Sequence, residues 1–69
     1  MKGWQKVFST DHAYQASIVK AVLEDHDIIT VIIDKKDSSY NNFGSYEVHA
    51  STDDVLSALK IIENDITFK

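Results

Sequence analysis

Ile28-Ile29-Thr30-Val31-Ile32-Ile33 is the stretch that decides how this chain folds. Five of its six residues are β-branched and apolar, which suits a pleated strand better than a helix of so few residues. Its apolar side chains fall on both parities, broken only by Thr30, so both faces of the strand point at something other than bulk water. Upstream, Glu24-Asp25-His26-Asp27 interrupts a helical pattern from His12 to about Asp25, in which Ala16, Val19, Val22 and Leu23 recur at the spacing of one buried face. Ser9-Thr10-Asp11 offers capping side chains for that helix, with Asp11 best placed. Before it, Trp4 to Ser9 alternates as a short strand, with Trp4, Lys6 and Phe8 on one face and Gln5, Val7 and Ser9 on the other.

Downstream of the deciding stretch, Lys35 to Asn42 is polar and turn-prone, and Gly44 offers a positive φ to close the loop. Ser45 to Ala50 alternates again, with Tyr46, Val48 and Ala50 opposite Ser45, Glu47 and His49. Ser51-Thr52-Asp53-Asp54 has the form of a capping box, and its aspartates suit the positive end of a helix. Val55, Ala58, Leu59 and Ile62 then carry a helical stripe to about Asn64, and Ile66-Thr67-Phe68 reads as a short last strand. The order is β-α-β-β-α with a final β. This is the split β-α-β, ferredoxin-like pattern of an α+β domain, with two helices on one face of an antiparallel sheet and residues 1–69 in a single domain.

The 69 residues include no cysteine, so neither a disulfide nor a thiolate metal site can staple the fold. Chains this short rarely build a core worth more than about 3–5 kcal/mol unaided. Self-association, with a homodimer favoured, is therefore the expected support. No apolar run approaches the length of a membrane span, and the first residues lack the apolar core of a signal peptide, so the expectation is a cytoplasmic protein without a membrane partner. Seven basic residues, all lysine, stand against eleven acidic ones, giving a net charge of −4. The absence of arginine removes the planar fork that grips phosphate and guanine, which argues against a nucleic-acid partner.

In a sheet with helices on one side, the other face is ordinarily polar. Here the parity of the first strand leaves Trp4 and Phe8 on the far side, together with some of Ile29, Val31 and Ile33. A contiguous apolar patch of that kind marks an interface more often than a free surface, which makes Trp4 and Phe8 the candidates for self-association.

Signals of chemistry are sparse. His12 and His26 lie at opposite ends of one helix, about 21 Å apart at 1.5 Å per residue, and cannot share an ion. His49 and Glu47 point the same way from one strand, but a two-ligand pair is a weak metal signal, and a solvated pair is the expectation, with no metal site. No serine sits in a nucleophile elbow, and no catalytic constellation assembles, so no enzyme activity and no cofactor are expected. An RNA-binding sheet of this topology carries stacking aromatics on its third strand. Phe43-Gly44 matches that pattern, but Ser45 stands where a second aromatic belongs. The distinctive segment is Lys35 to Asn42, longer than the usual hairpin loop of about 2–5 residues. Lys35 and Lys36, with Ser38, Ser39 and Tyr40, form a candidate contact for an anionic small molecule or a protein partner. The alternative is a solvated hairpin tip whose lysines neutralise Asp34 and Asp37.

Trp4-x-x-Val7-Phe8-Ser9-Thr10, Tyr14-Gln15-Ala16, Val19-x-x-x-Leu23-Glu24-Asp25, Ile28, the run Asp34-Lys35-Lys36-Asp37-Ser38-Ser39-Tyr40, Glu47-Val48 and the helix around Ala58 occur together in this order. On these residues the chain resembles the short bacterial family of putative prokaryotic signal-transducing proteins, in its Bacteroidetes-type form. The resemblance implies a ferredoxin-like fold similar to the nitrogen-regulatory PII proteins, which bind nucleotides and effectors between subunits and reach targets through the loop after strand two. Taken with the residues, the expectation is a small regulatory or interaction module, with a sensor of an anionic metabolite at a subunit boundary as a first alternative and an RNA-binding sheet as a second. Two departures stand out. Asp27 occupies the place where the family usually has glycine, and the Arg and Gly-rich phosphate contacts of a nucleotide site are missing.

Overall fold

The computed structural model describes residues 3–35 and 45–66. Five main elements follow the expected order: β1 (Trp4–Thr10), α1 (Ala13–Asp25), β2 (Thr30–Asp34), β3 (Tyr46–Ser51) and α2 (Val55–Asp65). The strands lie in the order β1-β3-β2, and β3 is antiparallel to both neighbours. β1 and β2 therefore run parallel with β3 inserted between them, which is the α+β, split β-α-β arrangement of ferredoxin-like domains. Of the final strand expected at residues 66–68, only Ile66 is described. It is extended (φ −122°, ψ 123°) and packs on the core. Among the described residues no helix is long and apolar enough to cross a membrane.

One side of the sheet is covered. Val48 and Ala50 of β3, Val7 of β1 and Ile28 close on Ala16, Val19 and Leu23 of α1 and on Val55 and Ala58 of α2. The alternation of β3 follows from its pleat, which sends Val48 and Ala50 to the helices and Glu47 and His49 to the other face. On α2 the stripe is rotated from the expected one. Leu59 is exposed, and Ile61 and Ile62 pack on the core instead.

The ends of the helices show how the sequence sets its turns. α1 ends in a Schellman motif: the amide of Asp27 donates to the Glu24 carbonyl and that of Ile28 to the Leu23 carbonyl, each at 3.0 Å. Asp27 takes the left-handed conformation this motif requires, with φ +64°. Because Ile28 is engaged in the cap, β2 begins at Thr30 and not at Ile28. At the start of α1, His12 and not Asp11 is the N-cap residue, and its side chain makes no capping hydrogen bond. The Thr10 hydroxyl accepts from the His12 amide at 3.1 Å and donates to Gln15 Oε1 at 2.6 Å, while the Asp11 carboxylate accepts from the Ser45 amide at 3.4 Å. Ser51 caps as its sequence suggests, accepting from the Asp53 amide at 3.4 Å, but the turn it caps is a 3-10 turn (Thr52–Asp54) leading into α2.

β1 departs most from its sequence pattern. Lys6 pairs with His49 and Phe8 with Val48, so Val7 is an extra residue, a β-bulge. The bulge resets the alternation. Val7 and Phe8 both turn to the helix side, where Phe8 packs on the core. Phe8 is therefore not part of the open face on which simple parity places it.

Candidate interaction surface

The register of the three strands lists what the uncovered face carries. Trp4 lies opposite Ser51, Lys6 opposite His49 and Ser9 opposite Glu47. From the other side Val31 lies opposite His49 and Ile33 opposite Glu47. Ile29, just ahead of β2, continues that parity and is 69% exposed. The face is thus not the continuous apolar patch expected. Its central strand is polar, with Glu47 and His49, and apolar residues flank it: Trp4 on one side, and Ile29, Val31 and Ile33 on the other. Trp4 is the aromatic residue of this face among the described residues. Phe8 and Tyr46 belong to the helix side.

Glu47 is the hub. Its Oε1 accepts from His49 Nε2 at 3.0 Å, and its Oε2 lies 3.4 Å from Lys35 Nζ and 3.9 Å from Lys6 Nζ. Lys6 arrives from β1 and Lys35 from the residue just after β2, so groups from both sides of β3 converge on one carboxylate. The Glu47 and His49 side chains are only 13% and 14% exposed, although no helix among the described residues lies over this face. The expected solvated pair is in fact half sunk between its neighbours. The hydrogen bond from His49 holds the Glu47 carboxyl below its ordinary range, against the opposing effect of burial, and the Lys35 and Lys6 ammonium groups add to the lowering. On the imidazole, Nδ1 is buried and has no hydrogen-bond partner.

Lys35 stands at the margin of this face. Besides its ion pair with Glu47, its amide donates to the Ser45 carbonyl at 2.6 Å, the last described rung before the connection between β2 and β3. Lys36, Ser38, Ser39 and Tyr40 lie outside the described residues. The pairing of His49 with Glu47 was visible in the spacing of two along one strand. The convergence of Lys6 and Lys35 on Glu47 was not, because it depends on the register of both neighbouring strands against β3, and a bulge in β1 shifts that register.

The far edge of the sheet is guarded. Lys20 Nζ donates to the Thr30 carbonyl at 3.1 Å and to Glu24 at 2.6 Å. A lysine placed against an edge strand discourages the addition of another strand on the β2 side. Among the described residues no three histidine, aspartate or glutamate side chains gather as a metal site.

A family model described as "Putative prokaryotic signal transducing protein" matches residues 4–65. The chain belongs to this family. For a putative prokaryotic signal transducing protein, that match runs from the first residue of β1 to the last of α2, and it includes every residue of the open face described above. The family description names signal transduction and no reaction. Comparison with curated proteins and with solved structures finds no significant match.

Proposed function

We propose that this protein is a non-catalytic regulatory module that works by contact, and that it self-associates as a homodimer through its open sheet face. The observation that carries this is the self-complementary layout of that face. Two sheets packed face to face lie about 10 Å apart. With a two-fold axis running along β3 between them, β1 of one copy lies over β2 of the other. Trp4 and Ile29 both sit at the level of Ser51, so the indole of each copy meets Ile29 of the other. Lys6 meets Val31 at the level of His49. The most exposed apolar side chain of the face is thereby covered by its only tryptophan. Phe8 has no part in this contact.

Lys35, at the rim of the face, and the residues after it, Lys36, Ser38, Ser39 and Tyr40, are proposed as the contact for a protein partner or an anionic small molecule. Sensing an anionic metabolite at the subunit boundary would use the same rim. An RNA-binding sheet is less favoured: stacking needs aromatic platforms, and the central strand presents Glu47 and His49 instead.

The test is a solution mass measured over a wide range of protein concentration, alongside a thermal-shift screen of anionic metabolites. Three strands of about six residues give a flat footprint of roughly 14 by 20 Å. That is small beside the ~800 Å2 per partner of a standard interface. The dimer should accordingly dissociate on dilution. A monomer at every concentration would defeat the self-association. A metabolite that raises the melting temperature would identify the sensed ligand by mass action.

A further inference from the structure

We infer that the Glu47–His49 pair is half of a zinc site, completed by the same two residues of a second copy. This deepens the proposed dimer and rests on it. The two ligating atoms are already placed for one ion. His49 Nε2 and Glu47 Oε1 are 3.0 Å apart. Two ligands of a tetrahedral zinc, with bonds of about 2.0–2.2 Å, are separated by ~3.3 Å. An ion taking the place of the shared proton needs only a small opening of the pair. Both side chains are already half sunk in the face, so little further ordering is required.

The two-fold axis supplies the rest. An axis along β3 places His49 opposite His49 and Glu47 opposite Glu47 of the second copy. The side-chain tips of the pair meet between the two residue levels, so an ion held there sits on or close to the axis, equally reached from both copies. The result is a closed His2Glu2 set, the four-coordinate form of a structural zinc. Two imidazoles reaching inward from sheets about 10 Å apart span the gap to a shared ion. An ion that ties four side chains also provides what the small footprint of the face lacks.

Lys6 and Lys35 compete with the metal. Both reach Glu47 only loosely, at 3.9 and 3.4 Å, and both side chains are more than half exposed, so they can swing away. Neutralising them should therefore strengthen zinc binding, the opposite of what a phosphate or acidic-peptide site would show.

The experiment titrates zinc chloride into metal-free protein by calorimetry and follows the solution mass, with magnesium as the hard-cation control. The expected result is one zinc per two chains, a shift from monomer toward dimer, and no response to magnesium. Binding should be lost in His49→Ala and in Glu47→Gln, kept in the double variant His12→Ala/His26→Ala, and severalfold tighter in Lys6→Gln/Lys35→Gln. A dimer whose mass and stability ignore zinc would overturn the metal site and leave the dimer standing. A chain that stays monomeric with and without zinc would overturn both. Zinc uptake that survives in His49→Ala would mean adventitious binding and would also overturn the site.

Discussion

At Asp27 a single backbone angle explains a residue choice. The Schellman cap of α1 needs a left-handed residue between His26 and Ile28, and an L side chain there is disfavoured while glycine is not. Asp27 adopts φ +64° regardless, held by the hydrogen bonds from its own amide to the Glu24 carbonyl and from the Ile28 amide to the Leu23 carbonyl, and by the burial of Ile28 beside Leu23. Asp27→Gly should stabilise the fold by about 0.5–1 kcal/mol, the relief of strain exceeding the extra chain entropy of glycine. Denaturant midpoints of the two proteins would reveal a destabilisation instead if the carboxylate mattered more than the angle. Glu47 gives a second prediction. Its carboxyl is held below the ordinary value of 4.5, first by His49 and then by Lys35 and Lys6. A group whose folded value is lowered binds its proton more readily when unfolded, so its contribution is complete above that ordinary value and fades as pH falls through the folded one. In metal-free buffer, the stability of the wild type should therefore fall more steeply than that of Glu47→Gln on acidification below about 4.5. Parallel curves would mean that the hydrogen bond from His49 and the charges of Lys35 and Lys6 contribute nothing.

At the scale of elements, β1 separates the two roles that its aromatics were expected to share. Phe8 packs on the core behind a bulge, and Trp4 remains on the open face. Phe8→Ala should destabilise the fold by about 2 kcal/mol, less than for a fully buried phenylalanine because Phe8 is only half-buried, and should leave the solution mass unchanged. A Phe8→Ala chain that keeps its stability but alters its association would restore the simple alternation. The five elements, their order and the faces of β3 were legible in the sequence because helical spacing marks α1 and α2, alternation marks β3 and the start of β1, and β-branched residues mark β2. Val7 was not, since a bulge adds one residue without any glycine or proline to mark it, and one added residue exchanges the faces of everything beyond it. The cap at His12 was hidden for a related reason. Three adjacent residues, Ser9, Thr10 and Asp11, all offered capping chemistry, but Thr10 bonds Gln15 and Asp11 bonds Ser45, and the helix starts after His12, whose side chain makes no capping bond.

At the scale of the molecule, the helices cover one face of the sheet and an ion-paired strand with apolar margins forms the other. The acidic total charge does not describe that second face. Lys6 and Lys35 outnumber Glu47 there, in a chain whose net charge is −4. Two such faces brought together would repel unless each Glu47 is shared or an ion pattern intervenes, so apolar contact at the margins must supply much of the attraction. Ile29 is where that can be tested without harm to the monomer. Its side chain is 69% exposed, outside the buried core, and one position away from the capping residue Ile28. Ile29→Lys should therefore leave the denaturation midpoint of the dilute monomer within about 0.5 kcal/mol of the wild type, as surface changes do. In the concentrated protein the same change buries a lysine against the indole of Trp4, on the strand that also carries Lys6, and should hold the chain monomeric. Trp4 is the only tryptophan, so its emission reports on the contact directly. It should shift to shorter wavelength as wild-type concentration rises and stay fixed in Ile29→Lys. An Ile29→Lys chain that still associates, with an unmoved Trp4 spectrum, would place the contact on some surface other than the open face of the sheet.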